Sequence, residues 1–167
     1  TLALCASSVN AQRAADRLHA LATGDAIAVE AARRQCALAP RAELPAAELG
    51  QLLRSADPQR RAAAAWLLLH HAFPSDELDR ALHAERALAV LAPLVDILPL
   101  DFLPRLVRAE DLVVPDDDRR LDPARLGTRA LGRLFDAGRV DDALWLDALG
   151  SDDPRFARRA ARLLVTE

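Results

Sequence analysis

An all-α fold is what this sequence predicts, on three observations. Ala occurs 36 times and Leu 31 times in 167 residues, and both are strong helix formers. Val, Ile and Thr together supply only 15 residues and Tyr is absent, a composition that strands do not use. Pro and Gly interrupt the chain at regular intervals, cutting it into helix-length pieces joined by two to six residues, the connections expected of antiparallel neighbours. A hydrophobic fraction of 51% is enough to build a core and excludes a disordered chain.

The punctuation predicts helices over 9–22, 25–39, 45–55, 58–72, 76–92, 94–108, 123–137, 140–149 and 154–165. Thr23-Gly24 closes the first, and Asp25 caps the second. Asp57 precedes Pro58, Asp122 precedes Pro123 and Asp153 precedes Pro154, so three further helices start on an Asp-Pro pair. Aspartate at the N-cap accepts hydrogen bonds from the free amides of the first turn, and proline at the next position has no amide to leave unsatisfied. Ser75 starts the 76–92 helix, with Asp76 and Glu77 placing negative charge in its first turn. On 154–165 an apolar stripe runs through Phe156, Ala160, Leu163 and Leu164. On 58–72 the matching face carries Ala62, Ala65, Trp66 and Leu69. Phe156, Leu163, Leu164, Trp66 and Leu69 are therefore expected to be buried between stacked helices.

Charge and cysteine content narrow the function classes. All 22 basic residues are Arg, set against 18 Asp and 7 Glu, for a net charge of -3. An acidic chain of this kind is not a dedicated nucleic-acid binder, which needs net or clustered positive charge. An Arg-only, Ala-rich composition also points to a GC-rich bacterial genome. Cys5 and Cys36 fit two buried thiols better than a disulfide or a metal site, because neither a CxxC pair nor a Cys/His cluster exists. The uncharged run Ala62–Pro74 is shorter than the roughly 18–20 apolar residues of a membrane span. The opening Thr-Leu-Ala-Leu-Cys-Ala-Ser-Ser lacks the basic region of a signal peptide, so a cytoplasmic location is expected. The absence of Met suggests an excised domain of a longer protein, with 1–167 forming a single domain.

One segment repeats. Leu53–Leu68 aligns with Leu149–Leu164 at an offset of 96, with identities at 8 of 16 positions, including the Ser-x-Asp-Pro cap in register with the helix. The cap aspartates at 25, 57, 122 and 153 step along the chain at 32, 65 and 31 residues, one period of about 32 with a missing signature near residue 89. Asp-Pro, then Arg, then Ala-Ala, then Leu-Leu resembles the second helix of HEAT-like repeats, the short bacterial kind also found in phycobilisome lyases. Segments 140–165 and 45–72 carry the resemblance best, and 9–39 and 100–137 loosely. The stretch 74–104 departs from it, with prolines at 74, 93, 99 and 104 and no Asp-Pro cap. The resemblance implies a right-handed α-α superhelix of eight to ten helices in stacked pairs. It implies protein binding more than chemistry.

Candidate chemistry is sparse. His70-His71 ends a helix, where a donor near the last carbonyls is the ordinary role and a metal site would need further ligands. Asp116, Asp117, Asp118 and Asp122 could ligate calcium, but without the EF-hand spacing or its loop glycine they read as a solvated loop. Arg pairs stand out at 33–34, 60–61, 119–120 and 158–159. Three of them fall on second helices, which line the inner surface of a HEAT-like solenoid. Arg33, Arg34, Arg60, Arg61, Arg158 and Arg159 are thus the candidate protein-binding residues, against the alternative of structural salt bridges with the many aspartates.

No phosphate loop or nucleophile motif is present, and no catalytic residue, cofactor or metal is expected. The expected function is a non-enzymatic interaction module that grips a protein or peptide, favouring an acidic one. Neither a membrane nor a nucleic acid is an expected partner. Two alternatives remain at this level. One is a HEAT-like nucleic-acid enzyme such as an alkylpurine DNA glycosylase, for which Trp66, Trp145, Asp and Arg supply the residue types. The other is a structural adaptor that joins other domains of the same chain.

Overall fold

The computed structural model describes residues 2–73, 75–109, 111–114 and 121–165, with side chains from residue 12 onward. The expected all-α class is what forms. The described residues hold ten α-helices, and their only strand-like pairing is an isolated bridge between Ala87 and Val113. No helix among them is long and apolar enough to cross a membrane. The chain divides into two compact units, 1–85 and 86–167.

The first unit contains α1 (Leu2–Thr23), α2 (Ala26–Ala37), α3 (Ala46–Leu52), α4 (Pro58–His70) and α5 (Asp76–Ala84). Its helices start where the caps are written. Asp25 Oδ1 accepts the Ala28 amide, Asp57 Oδ1 accepts the Gln59 amide and Ser75 Oγ accepts the Leu78 amide. Gly24 joins α1 to α2 because nothing larger fits: a Cβ there would stand 2.5 Å from the Ala20 carbonyl oxygen and 2.7 Å from the Ala28 Cβ. Helices pair as hairpins, α1 with α2 and α3 with α4, and the hairpins stack with α1 on α3 and α2 on α4. The centre of the unit is α4, which touches α1, α2, α3 and α5. It accordingly buries Ala62, Ala63, Ala64 and Ala65 in succession, together with Leu67 and Leu68. The single stripe expected on this helix is therefore corrected: contact comes from all sides, and Trp66 and Leu69 are only half-buried.

The second unit contains α6 (Leu88–Leu91), α7 (Leu103–Arg108), α8 (Pro123–Asp136), α9 (Asp142–Leu149) and α10 (Pro154–Val165). Again α7 pairs with α8 and α9 with α10, and the pairs stack α7 on α9 and α8 on α10. Asp122, Asp141 and Asp153 cap α8, α9 and α10 through the amides of Ala124, Leu144 and Arg155. The two repeated Ser-x-Asp-Pro caps have one geometry: Ser55 Oγ accepts the Asp57 amide at 3.2 Å, and Ser151 Oγ accepts the Asp153 amide at 3.3 Å. Phe156 and Ala160 are buried as expected, and Gly127 of α8 lets the Phe156 ring approach to 3.3 Å of where a Cβ would stand. Leu163 is half-buried and Leu164 is 40% exposed, contrary to expectation. The reason is length: α10 has 12 residues and its hairpin partner α9 only 8, so the last turn of α10 outruns the helix that would cover it.

Two expected helices do not form as single elements. The 76–92 helix stops at Ala84, and Glu85 turns extended. Arg86 and Leu88 then exchange backbone hydrogen bonds with Val113, at 2.7 and 3.0 Å, in place of helical ones. The 94–108 helix breaks into 3-10 turns at Ala92–Leu94 and Leu100–Phe102 before α7, because Pro99 is extended and leaves carbonyls without helical partners. Arg133 of α8 satisfies them, donating from Nη1 to the Val95 and Leu98 oxygens at 2.6 and 2.8 Å.

Candidate functional site

The six candidate arginines divide by what surrounds them. On α2, one turn separates Glu30 from Arg33 and Arg34, and both guanidinium groups reach its carboxylate, Arg33 through Nε and Nη2 at 2.7 Å and Arg34 through Nε at 2.8 Å. The Arg33 hydrogen bonds foremost hold the Glu30 carboxyl down to about 2, against an opposing effect of burial and with help from Arg34. The same bonds raise Arg33 further above its ordinary value. Arg33 also lies over the Trp66 ring, 4.4 Å from its centroid, so its guanidinium is part of the α2–α4 contact. Arg34 points outward, with its side chain 75% exposed.

On α4 both arginines face inward. Arg60 reaches from the first turn to the Gly24 carbonyl at the head of α2, 3.3 Å away. Its Nε stands 3.2 Å from the Asp57 carboxylate as an ion pair, but is shielded from solvent without a hydrogen bond of its own. Arg61 makes four bonds, two to Glu85 (2.7 and 3.3 Å) and two to the Ser55 and Ala56 carbonyls (2.8 and 3.0 Å). It fastens the α3–α4 turn to the end of α5. On α10 the pair is exposed: Arg158 donates to the Pro154 carbonyl of its own helix, and Arg159 lies on the surface.

The two expected histidine and tryptophan features are also occupied by packing. His70 stacks on Trp66 with ring centroids 4.4 Å apart, and meets the His71 ring edge-on at 4.9 Å. His71 Nε2 stands 3.2 Å from the Cys36 carbonyl, which can only accept, so this nitrogen donates to the last turn of α2. Trp145 packs edge-on against Phe135 at 6.1 Å. Cys36 is buried, and burial pushes its thiol up. Asp116, Asp117 and Asp118, like the 119–120 arginine pair and the Cys5 side chain, lie outside the described residues. Among the described residues no group of three or more His, Cys, Asp or Glu is placed to hold a metal ion.

In the second unit a cleft of about 820 Å³ lies where the heads of α8 and α10 meet α7 and α9. Both of its arginines are already paired: Arg108 with Asp147 at 2.8 Å, and Arg155 with Asp153 at 3.1 Å and Asp122 at 3.7 Å. The Arg155 side chain lowers the Asp153 carboxyl, with the first-turn amides assisting. Arg155 thus links the caps of two successive second helices, as Arg60 links α4 to the head of α2. Sequence reasoning missed both links; the signal available was an arginine two or three residues after the capping aspartate. No protein-family model, curated protein or solved structure matches this chain.

Proposed function

We propose that this chain is a non-enzymatic protein-interaction module, a HEAT-like array of helical pairs in a bacterial cytoplasm, whose exposed second-helix arginines hold an acidic protein segment. One observation carries the reading: second helices stack on second helices within each unit, and this packing leaves Arg34, Arg158 and Arg159 exposed while it absorbs Arg33, Arg60 and Arg61. Exposed guanidinium groups on a packed helix are rigidly based and favour carboxylates. The division also gives the six candidates different roles. Arg34 is offered to a partner by the first unit, and Arg158 and Arg159 by the second; Arg33, Arg60 and Arg61 hold the helices of the first unit together.

The test uses a labelled synthetic peptide rich in Glu, titrated against the full chain between about 50 and 300 mM salt, where screening separates surface electrostatics from other binding. Arg34→Gln together with Arg158→Gln and Arg159→Gln is expected to weaken salt-sensitive binding and to change the unfolding midpoint less than Arg61→Gln does. Arg61→Gln is expected to lower the midpoint. Peptide binding indifferent to salt and to the triple substitution would overturn the reading. Tighter binding to duplex DNA than to the peptide would favour the glycosylase alternative.

A further inference from the structure

A groove of about 480 Å³ runs between α1 and α2, lined by Arg13, Asp16, Arg17 and Ala20 from the first helix and by Ala28, Ala31, Ala32 and Gln35 from the second. Three features bear on what it accepts. Its floor is alanine, whose short side chain lets another backbone come close. Outside the groove's own lining, Ile27 lies on the same stripe of α2 as Ala31, four residues before it, and Leu38 is the C-cap residue that follows the helix; they are 82% and 89% exposed. The rim on α1 carries Arg13 and Arg17 one helical turn apart. Neither makes an ion pair among the described residues, although Glu30, Asp57, Glu77 and Glu85 of this unit are all engaged by other arginines. Asp16 lies between them and accepts from the Gln12 amide at 3.0 Å. Glu43 shares a separate apolar crevice with Arg17 without pairing to it.

These features select the occupant. Alanine methyl groups offer no hydrogen bonds, so a segment laid along them must satisfy its own backbone, which a helix does and an extended strand does not. Ile27 to Leu38 spans about 16 Å at the helical rise, room for about three turns of a docked helix. Two guanidinium groups one turn apart match two carboxylates one turn apart on a helix lying alongside α1.

We propose that the α1–α2 groove docks an amphipathic helix of another protein, with a small apolar face on the alanines, larger apolar side chains on Ile27 and Leu38, and two carboxylates one turn apart held by Arg13 and Arg17. This site lies on the first helix of the pair and does not use the second-helix arginines of the preceding reading, so the two stand or fall separately.

The probe is a fluorescein-labelled synthetic amphipathic peptide of about 16 residues, Ala and Leu on one face with a Glu pair four residues apart, titrated into the full chain by anisotropy. A Gln-for-Glu peptide, a Lys-for-Glu peptide and ultracentrifugation of the chain with and without the Glu peptide complete the set. The Glu peptide is expected to bind about tenfold more tightly than the Gln peptide. Arg13→Glu with Arg17→Glu is expected to lose the Glu peptide and acquire the Lys peptide, while Arg13→Lys with Arg17→Lys retains the Glu peptide. Ala31→Trp, which fills the floor, is expected to abolish binding of all three peptides. Arg158→Gln with Arg159→Gln should leave the Glu peptide bound. Circular dichroism unchanged in the charge-reversed chain makes its loss a binding result. Equal binding of the Glu and Gln peptides overturns the proposal, as does no binding at millimolar chain or a folded charge-reversed chain that ignores the Lys peptide. Self-association of the chain in ultracentrifugation that the Glu peptide reverses would overturn it in favour of a second copy as occupant.

Discussion

At the scale of single residues, the ends of α4 and α8 make an informative pair. Both close with the same two backbone bonds: the Phe73 and Arg139 amides donate to the Leu68 and Leu134 carbonyls, and the Ala72 and Gly138 amides donate to the Leu69 and Phe135 carbonyls. The turn requires a left-handed residue, and Gly138 supplies it at φ 63° while Ala72 is held there at φ 50°. An alanine in this region carries steric strain that glycine lacks, partly offset by glycine's greater freedom in the unfolded chain. Ala72→Gly is therefore expected to stabilise the chain by about 0.5–1 kcal/mol, read from denaturation midpoints. Glu30 gives a second residue-level test. Its carboxyl is held at about 2, below its unfolded value of 4.5, so its ionised form stabilises the fold. That contribution is complete above the unfolded value and is lost as pH falls through the folded one. The stability difference between the parent chain and Glu30→Gln is expected to be greatest near neutrality and to shrink between pH 4.5 and about 2, in urea unfolding followed across that range.

At the scale of elements, the helix starts were the most legible feature of the sequence, because a cap is a contact between a side chain and an amide two or three residues away. Asp25, Asp57, Ser75, Asp122 and Asp153 all accept such amides; Asp141, which starts α9 two residues after the expected boundary, does so too. Asp57→Ala or Asp153→Ala is expected to lower stability by about 0.5–2 kcal/mol, and an unchanged unfolding midpoint would deny them that role. The helix that sequence pattern drew through 94–108 was not legible. Pro99 argues for a break, but which carbonyls it frees and what meets them depends on Arg133, more than 30 residues away. Arg133→Leu keeps the bulk of the side chain and removes both bonds. It is expected to destabilise by about 1.5–3 kcal/mol, the worth of hydrogen bonds from a charged donor, in the same denaturation assay.

At the scale of the whole molecule, the two compact units each enclose a core of their own. Leu21, Leu49, Leu67 and Leu68 belong to the first; Leu91, Leu94, Leu103, Leu106, Leu131 and Leu134 belong to the second. Each unit also keeps its central ion pairs internal, Arg61 with Glu85 in the first and Arg155 with Asp122 and Asp153 in the second. Fragments 1–85 and 86–167 are accordingly expected to be helical and to melt cooperatively when produced separately. Far-UV circular dichroism with thermal melts checks this, and a fragment without a cooperative transition would show that its core is not self-sufficient.

The sequence by itself determined the all-α class, the starts of the helices and the recurrence of one capped helix pair, since composition, propensity and capping act within a few residues. It also placed Arg33 and Arg34 within a turn of Glu30, a local pairing that spacing dictates. Only the tertiary structure decided the rest. Four consecutive alanines of α4 are buried because four helices surround it, and Leu164 is exposed because α9 is too short to cover it. Arg60 and Arg61 are held in packing by Gly24 and Glu85, while Arg13 and Arg17 are left over an open groove. An arginine looks the same in sequence whether its guanidinium is consumed or offered, because the carboxylate or carbonyl that consumes it is brought there by the packing of other helices.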